Sequence, residues 1–197
     1  MTALGAAVGR RAKAPSSSRV SGRREAARGA LASEAVATSP PPDLILEPLT
    51  GKPRAVEEWV TTFHLVVVAL DPFTHESGWI LPTAGRVMGN FSGADCRVGW
   101  LVCGTDDQAR EFLGPWADRF LTFADPDRAM AQGLGLERLP AIVHLNHSLE
   151  VVGAAEGWNP RAWRTVANGL AKAMSWSKPR IPTRDDPAPY AGTPAAG

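Results

Sequence analysis

The amino-acid sequence predicts an α/β fold with a mixed central sheet, in which parallel strands are followed by a C-terminal β-hairpin and helices cover both faces. The continuous apolar run at 63–70 is typical of a strand buried on both faces of a parallel sheet, and residues 96–103 predict a second buried strand. The turn at 146–148 joins two further strand-like segments and predicts the hairpin. A buried parallel layer followed by an antiparallel hairpin indicates a mixed sheet.

The first half of the chain alternates strand and helix patterns. Residues 44–49 predict a short edge strand, a position that tolerates Pro48. Residues 52–60 predict a short helix with Pro53 near its start, where proline is favoured. A second helix is predicted over 79–91, between the two buried strands.

The second half completes the layers. A helix is predicted over 106–116 because it begins with acidic residues, and a short one over 125–132 because an aspartate can cap it. The hairpin strands are expected at 141–145 and 149–154. Asn159 is expected to cap a last helix, which carries one apolar stripe.

Composition divides the chain into a domain at 43–175 and two tails. Residues 1–42 predict a disordered basic tail rich in Ala, Ser, Arg and Pro, and 176–197 a disordered Pro-rich tail. Residues 1–40 carry a net charge of +5, whereas 41–175 carry −5. An acidic domain argues against a phosphate-tracking surface, so nucleic acid is expected to make at most a weak contact with the basic tail.

Overall composition is that of a globular protein, with 44% hydrophobic and 21% charged residues. No apolar run approaches the ~18 residues that span a bilayer. The two cysteines, Cys96 and Cys103, fit a reducing compartment, so a cytoplasmic location is expected. Seven strand residues would hold these thiols ~23 Å apart, too far for a disulfide. No Cys/His spacing indicates a metal site, and no cofactor is expected.

The strand–loop–helix stretch at 70–82 reads LDPFTHESGWILP, and it resembles the active-site region of the thioredoxin-like superfamily, in particular thioredoxin- and TlpA-like domains. Pro82 falls where family members carry a proline that kinks the active-site helix. Counting back from it gives the residues that fall on the family's Cys-x-x-Cys motif: Thr74, His75, Glu76 and Ser77.

A second stretch, at 135–145, resembles the family segment that precedes the fourth strand. Pro140 matches the family's cis-proline, and Leu139 precedes it where members usually have an aliphatic residue or threonine. The resemblance extends through 153–158 to the last helix and covers roughly two-thirds of the chain. It implies a thioredoxin-like fold.

Three departures from the family pattern concern the chemistry. Dithiol exchange needs a thiolate nucleophile and a resolving thiol. Thr74 and Ser77 place hydroxyls at both positions, and a hydroxyl cannot form a disulfide. Where members carry a buried acid in the preceding strand, the resemblance places Val68. The sequence therefore predicts a module without dithiol activity and without catalytic residues.

The leading hypothesis is that this module binds a protein or peptide, of unknown identity, in the groove beside the cis-proline. Active members receive extended substrate backbone there, and the carboxyl end of a buried strand is where open α/β sheets bind ligands. The residues expected to form the groove are Asp71, Phe73, Trp79, Arg138, Leu139 and Pro140.

Other hypotheses remain open. Asp71 or Thr74 can serve as a polar helix cap with no ligand. A divergent thiol–disulfide oxidoreductase can use Cys103, the thiol expected near the active edge. The basic tail can target an adaptor to its partner. Metal binding by His75 and Glu76 is not expected, because adjacent helical residues do not face each other.

Overall fold

The computed structural model describes residues 37–196. The predicted basic tail, apart from its last six residues, and any nucleic-acid contact through it lie outside this described part. Those six residues belong to the folded part: the Thr38 N–H donates to the Leu134 carbonyl at 2.9 Å, and Pro40 is buried. The folded part therefore begins earlier than the predicted boundary at residue 43.

The centre of the fold is a seven-stranded sheet in the order β2-β1-β5-β4-β3-β7-β8. Its inner strands β3, β4 and β5 run parallel, and β7 and β8 form the antiparallel hairpin next to β3. The mixed sheet with a C-terminal hairpin is confirmed. The strands are β1 (Ile45–Pro48), β2 (Arg54–Ala55), β3 (His64–Leu70), β4 (Cys96–Val102), β5 (Leu121–Ala124), β7 (Ala141–Leu145) and β8 (Val151–Glu156), and a separate two-stranded pair joins β6 (Arg138–Leu139) to β9 (Thr193–Pro194).

The helices are α1 (Val56–Val60), α2 (His75–Asn90), α3 (Asp106–Leu113), α4 (Ala129–Gly133) and α5 (Pro160–Ala173). Sequence signals explain where two of these helices begin. Thr105 and Gln108 form a capping box on α3, and the Asn159 side chain accepts the N–H groups of the first turn of α5. The predicted cap Asp125 does accept N–H groups of α4, but this helix begins only at Ala129.

Both faces of the sheet are buried, which explains the continuous apolar run at 63–70. Alternate residues of β3 point to opposite sides. Val66, Val68 and Leu70 pack in one cluster with α2, α3 and α5, whereas Leu65, Val67 and Ala69 pack in a second cluster with α1 and α4. The helices therefore cover both faces, as predicted.

Strand β5 has no counterpart among the predicted elements. It has only four residues, too few to show a pattern, and it makes β1 an inner strand instead of the predicted edge. Gly99 of β4 is paired with Leu121, and a Cβ at Gly99 would lie 2.4 Å from the Leu121 carbonyl oxygen. The close approach of these two strands thus requires glycine.

The prediction of a disordered tail at 176–197 is wrong for the described residues. Residues 177–196, which we call the strap, cross the surface and are held at separated points. Ile181 and Ala195 are buried, and Asp186 forms a 2.7 Å ion pair with Arg86 of α2. The segment lacks helix and strand periodicity, so its composition resembles that of a disordered chain. Its order comes instead from single side chains that find distant partners.

Candidate functional site

The loop between β3 and α2 brings together two hydroxyls, at the positions where the sequence resemblance places the motif cysteines. The Oγ1 atom of Thr74 lies 3.1 Å from the Oγ atom of Ser77, which also accepts the N–H of Asp71 at 2.9 Å. Ser77 is fully buried. The two side chains are joined by a hydrogen bond between hydroxyls, and a pair of hydroxyls cannot exchange disulfides.

Asp71 is part of a buried ion pair. Its Oδ2 atom lies 2.8 Å from Nη2 of Arg128, and its Oδ1 atom accepts the Phe73 N–H at 2.9 Å. Burial alone would lower the pKa of Arg128, but the hydrogen bond and the charge of Asp71, together with Cys103 and Asp125, raise that pKa overall. The carboxylate is therefore already satisfied, and Asp71 supports the loop from within the protein.

The peptide bond between Leu139 and Pro140 is cis. The side chain of Leu139 is fully buried in the core, so only its backbone faces the groove. The N–H groups of Glu137 and Arg138 are also engaged, because they donate to the carboxylate of Glu156 at 3.1 and 2.9 Å. The groove beside the cis-proline is therefore lined by backbone, contrary to the expectation that the Leu139 side chain lines it.

The strap lies along this groove. Strand β9 of the strap pairs antiparallel with β6, with Thr193 opposite Leu139. Nη1 of Arg138 donates to the carbonyl of Gly192 at 3.2 Å. An extended segment of the same chain thus occupies the groove that the sequence analysis expected to be open.

Two exposed aromatic side chains flank the loop. Phe73 is 68% exposed and Trp79 is 55% exposed. Trp79 lies edge-on to Tyr190 of the strap, with ring centroids 5.6 Å apart, and the Tyr190 O–H donates to the carbonyl of Glu76 at 2.6 Å. Burial, followed by the charge of Glu76, raises the pKa of Tyr190. His75 points to solvent.

The sequence analysis missed three contributors to this region: Arg128, Tyr190 and Gly192. Nothing near Arg128 in the sequence indicates a partner 57 residues away. A signal did exist for Tyr190, because it is the single tyrosine of the chain and stands in a segment otherwise poor in large side chains.

Neither thiol lies in the loop, and both are free. Cys103 follows β4 and is buried. Burial, reinforced by Asp125, raises the pKa of its thiol to about 12. Cys96 begins β4, and burial together with Asp95 raises its pKa to about 11. At neutral pH both groups are therefore protonated and poor nucleophiles.

Three histidines meet at the opposite end of β3. Nδ1 of His64 lies 2.8 Å from Nε2 of His144, and the rings of His64 and His147 are 4.5 Å apart. Burial, with a contribution from His64, lowers the pKa of His144 to about 4. Within residues 37–196, no group of three His, Cys, Asp or Glu side chains has the arrangement of a metal site. In the same part of the chain, no helix combines the length and apolarity needed to cross a membrane.

Comparison with known proteins identifies the fold. No protein-family model and no curated protein has a significant match to the sequence. Among solved structures, DsbF of Mycobacterium tuberculosis gives a TM-score of 0.53 at 15% identity, covering 68% of this chain and 94% of that chain. A proposed thiol:disulfide interchange protein DsbE of Chlorobium tepidum gives a TM-score of 0.58 at 14% identity, and the match covers 70% of this chain and 97% of that chain. A cysteine-to-serine variant of peroxiredoxin Q of Xanthomonas campestris gives a TM-score of 0.57 at 15% identity, and the match covers 71% of this chain and 99% of that chain.

The chain therefore has a thioredoxin-like fold, as the sequence resemblance predicted. Its structural neighbours are thiol–disulfide oxidoreductases and peroxiredoxins. At these identities the similarity establishes the fold alone, and function has to be argued from the site.

Proposed function

We propose that the chain is a redox-inactive thioredoxin-like module that binds an extended segment of a protein or peptide partner along β6, beside Pro140. The observation that carries this proposal is the pairing of β6 with β9, in which an extended segment already lies antiparallel on Arg138 and Leu139. Addition of a strand to an accessible strand edge is a recurrent mode of peptide recognition. Backbone pairing supplies affinity, and neighbouring side-chain contacts supply selectivity.

The chemistry of the loop supports the proposed absence of dithiol activity. The hydroxyls of Thr74 and Ser77 hydrogen-bond to each other, and neither can attack a disulfide at neutral pH. The competing proposal, an oxidoreductase that uses Cys103, is weaker because burial raises the pKa of that thiol to about 12. Free thiols at the start of β4 and directly after its end also fit a cytoplasmic location, which forms part of this proposal.

Insulin reduction by dithiothreitol tests the proposal that the chain lacks thiol–disulfide exchange activity. The wild-type chain is expected to leave the rate of insulin precipitation at the background set by dithiothreitol alone, because no thiolate is available in the loop. Cys103→Ser and Cys96→Ser are the matched variants and are expected to give the same rate. Activity in the wild type that disappears only in Cys103→Ser would establish the oxidoreductase alternative.

Selection of peptides from a random display library tests the binding part. Trp79→Ala is expected to weaken binding of the selected peptides about tenfold, or ~1.4 kcal/mol, since exposed tryptophan is a typical anchor at interfaces. Phe73→Ala is expected to act in the same direction. Trp176→Ala is the control, because Trp176 is 40% exposed but contacts Gly93 and Asn90, away from the loop. A substitution of Leu139 is unsuitable, because its buried side chain would report on stability.

Trp79 also contacts Tyr190 of the strap, so Phe73→Ala, which has no such contact, decides the outcome. Equal binding by wild type and Phe73→Ala, or equal weakening by Trp176→Ala, would contradict a site beside the loop. Failure to select any peptide, on the wild type or on any variant of the chain, would contradict peptide binding altogether.

A further inference from the structure

The part of the strap from Tyr190 to Ala195 makes the contacts of a bound peptide. Tyr190 exchanges two backbone hydrogen bonds with Trp158, at 2.9 and 3.1 Å. Thr193 then lies opposite Leu139, and the Ala195 N–H donates to the Glu137 carbonyl at 2.8 Å. The segment thus crosses from the end of β8 to β6 and satisfies backbone groups on both.

The approach of this segment is so close that glycine is needed on both sides. Gly192 has φ +78°, and a Cβ there would lie 2.5 Å from the carbonyl oxygen of Leu139. On the opposite wall, Gly157 has φ +61°, and a Cβ there would lie 2.6 Å from the carbonyl oxygen of Ala191. The groove therefore accepts backbone at distances that exclude a side chain at the position of Gly192.

Two further positions make side-chain contacts. The Tyr190 ring packs edge-on against Trp79, and its hydroxyl reaches the Glu76 carbonyl. Ala195 is 3% exposed and packs in the same core cluster as Leu139, where a larger side chain would have to displace buried neighbours. The residues that make these contacts follow a fixed spacing along the strap: the aromatic Tyr190, then Gly192 two positions later, then the small Ala195 three positions after the glycine.

The same segment has the features of an element that opens locally. Ala188, Pro189, Ala191 and Pro194 are exposed, so little apolar surface holds the strap between its anchors. Pro187, Pro189 and Pro194 have no N–H to donate. Segments with few buried contacts open at free energies well below that of global unfolding.

We propose that the strap is an intramolecular ligand of the β6 groove. It gates the groove, and its sequence defines the peptide class that the groove binds: extended segments with the pattern aromatic-x-Gly-x-x-small. This inference rests on the proposed function, since it names the regulation and specificity of the same site. A partner segment binds when the strap leaves, and the two compete for the backbone of Leu139.

A labelled peptide with the sequence of residues 187–196 tests the competition on the full chain. Gly192→Ala is expected to loosen the strap and to bind this peptide at least about tenfold more tightly than the wild type, because a site closed nine-tenths of the time loses tenfold in apparent affinity. Gly169→Ala is the matched control, since a Cβ at Gly169 in α5 meets open space, and it is expected to bind like the wild type. A peptide with alanine in place of its glycine is expected not to bind.

Tyr190→Ala in the full chain is a second way to loosen the strap, and it leaves the backbone unaltered. Circular dichroism of each variant checks that the domain remains folded. Equal affinity of the peptide for wild type and both strap variants would overturn the gating and leave the proposed function standing. No binding of the peptide to any chain, while library-selected peptides still bind, would overturn the specificity. If neither the 187–196 peptide nor any library-selected peptide binds to the wild type or to either strap variant, the proposed function itself is overturned.

Discussion

Replacement of Arg128 by methionine is expected to lower the free energy of unfolding by about 3–5 kcal/mol, the usual cost of removing one partner of a buried ion pair. The side chains of Asp71 and Arg128 are 6% and 14% exposed, and their 2.8 Å contact is the link between the β3–α2 loop and the turn before α4. Without Arg128, the Asp71 carboxylate stays buried with only the Phe73 N–H as a partner. Urea denaturation at pH 7 measures the change.

Arg184→Met is the matched control for this prediction. Its ion pair with Asp185 is 3.4 Å long, and both side chains are almost wholly exposed, so its loss is expected to leave the urea midpoint nearly unchanged. A double variant, Arg128→Met with Asp71→Asn, is expected to be less destabilised than the sum of the two single variants, because the unpaired charge is gone. Strict additivity would mean that the pair contributes nothing as a pair.

The second large effect is a loss of stability in mild acid that depends on His144. The unfolded chain protonates this imidazole near pH 6.5, whereas the folded chain does so only at about pH 4. Between these values the unfolded state holds more protons, so stability is complete above pH 6.5 and falls as the pH is lowered towards 4. The lowering of the His144 pKa from 6.5 to about 4 corresponds to a loss of about 3 kcal/mol in the free energy of unfolding.

Urea denaturation at pH 7, 5.5 and 4 measures this contribution. His144→Asn removes the titrating group and is expected to flatten the decline over this range, although the variant is less stable at pH 7. His64 faces the same ring and has a pKa lowered by its own burial and by His147, so it adds to the decline in the same direction. His75→Asn, at an exposed position of α2, serves as the control. An unchanged slope in His144→Asn would show that other groups carry the acid sensitivity.

The sheet and its helices could be predicted because their information is local. The run at 63–70 is continuously apolar since β3 is buried on both faces, and Asn159 caps α5 with its own side chain. Strand β5 escaped prediction because four residues carry too little pattern. The strap escaped because its anchors need partners far along the chain: Asp186 meets Arg86, 100 residues away.

The site was predictable in part for the same reason. Thr74 and Ser77 are three residues apart at the start of a helix, a spacing that makes them neighbours, and their hydroxyls lie 3.1 Å apart. Their correspondence to the motif cysteines stays a prediction. The orientation of Leu139 was not accessible, since β6 has only two residues and shows no alternation. Nor did the sequence indicate that Arg128, in a left-handed conformation with φ 56°, reaches back to Asp71.

The contact between Trp79 and Tyr190 has a spectroscopic consequence. Four of the seven tryptophans, Trp59, Trp100, Trp158 and Trp163, are buried in the core, whereas Trp79 is half-exposed beside the single tyrosine of the chain. Under the proposed gating, departure of the strap uncovers one edge of this indole, so the emission of Trp79 moves to longer wavelength. Trp158 responds as well, because its indole N–H loses the Pro187 carbonyl of the strap, whereas the emission of Trp59 and Trp100 stays in place. The protein thus carries an intrinsic fluorophore that reports, without a label, whether the groove is occupied.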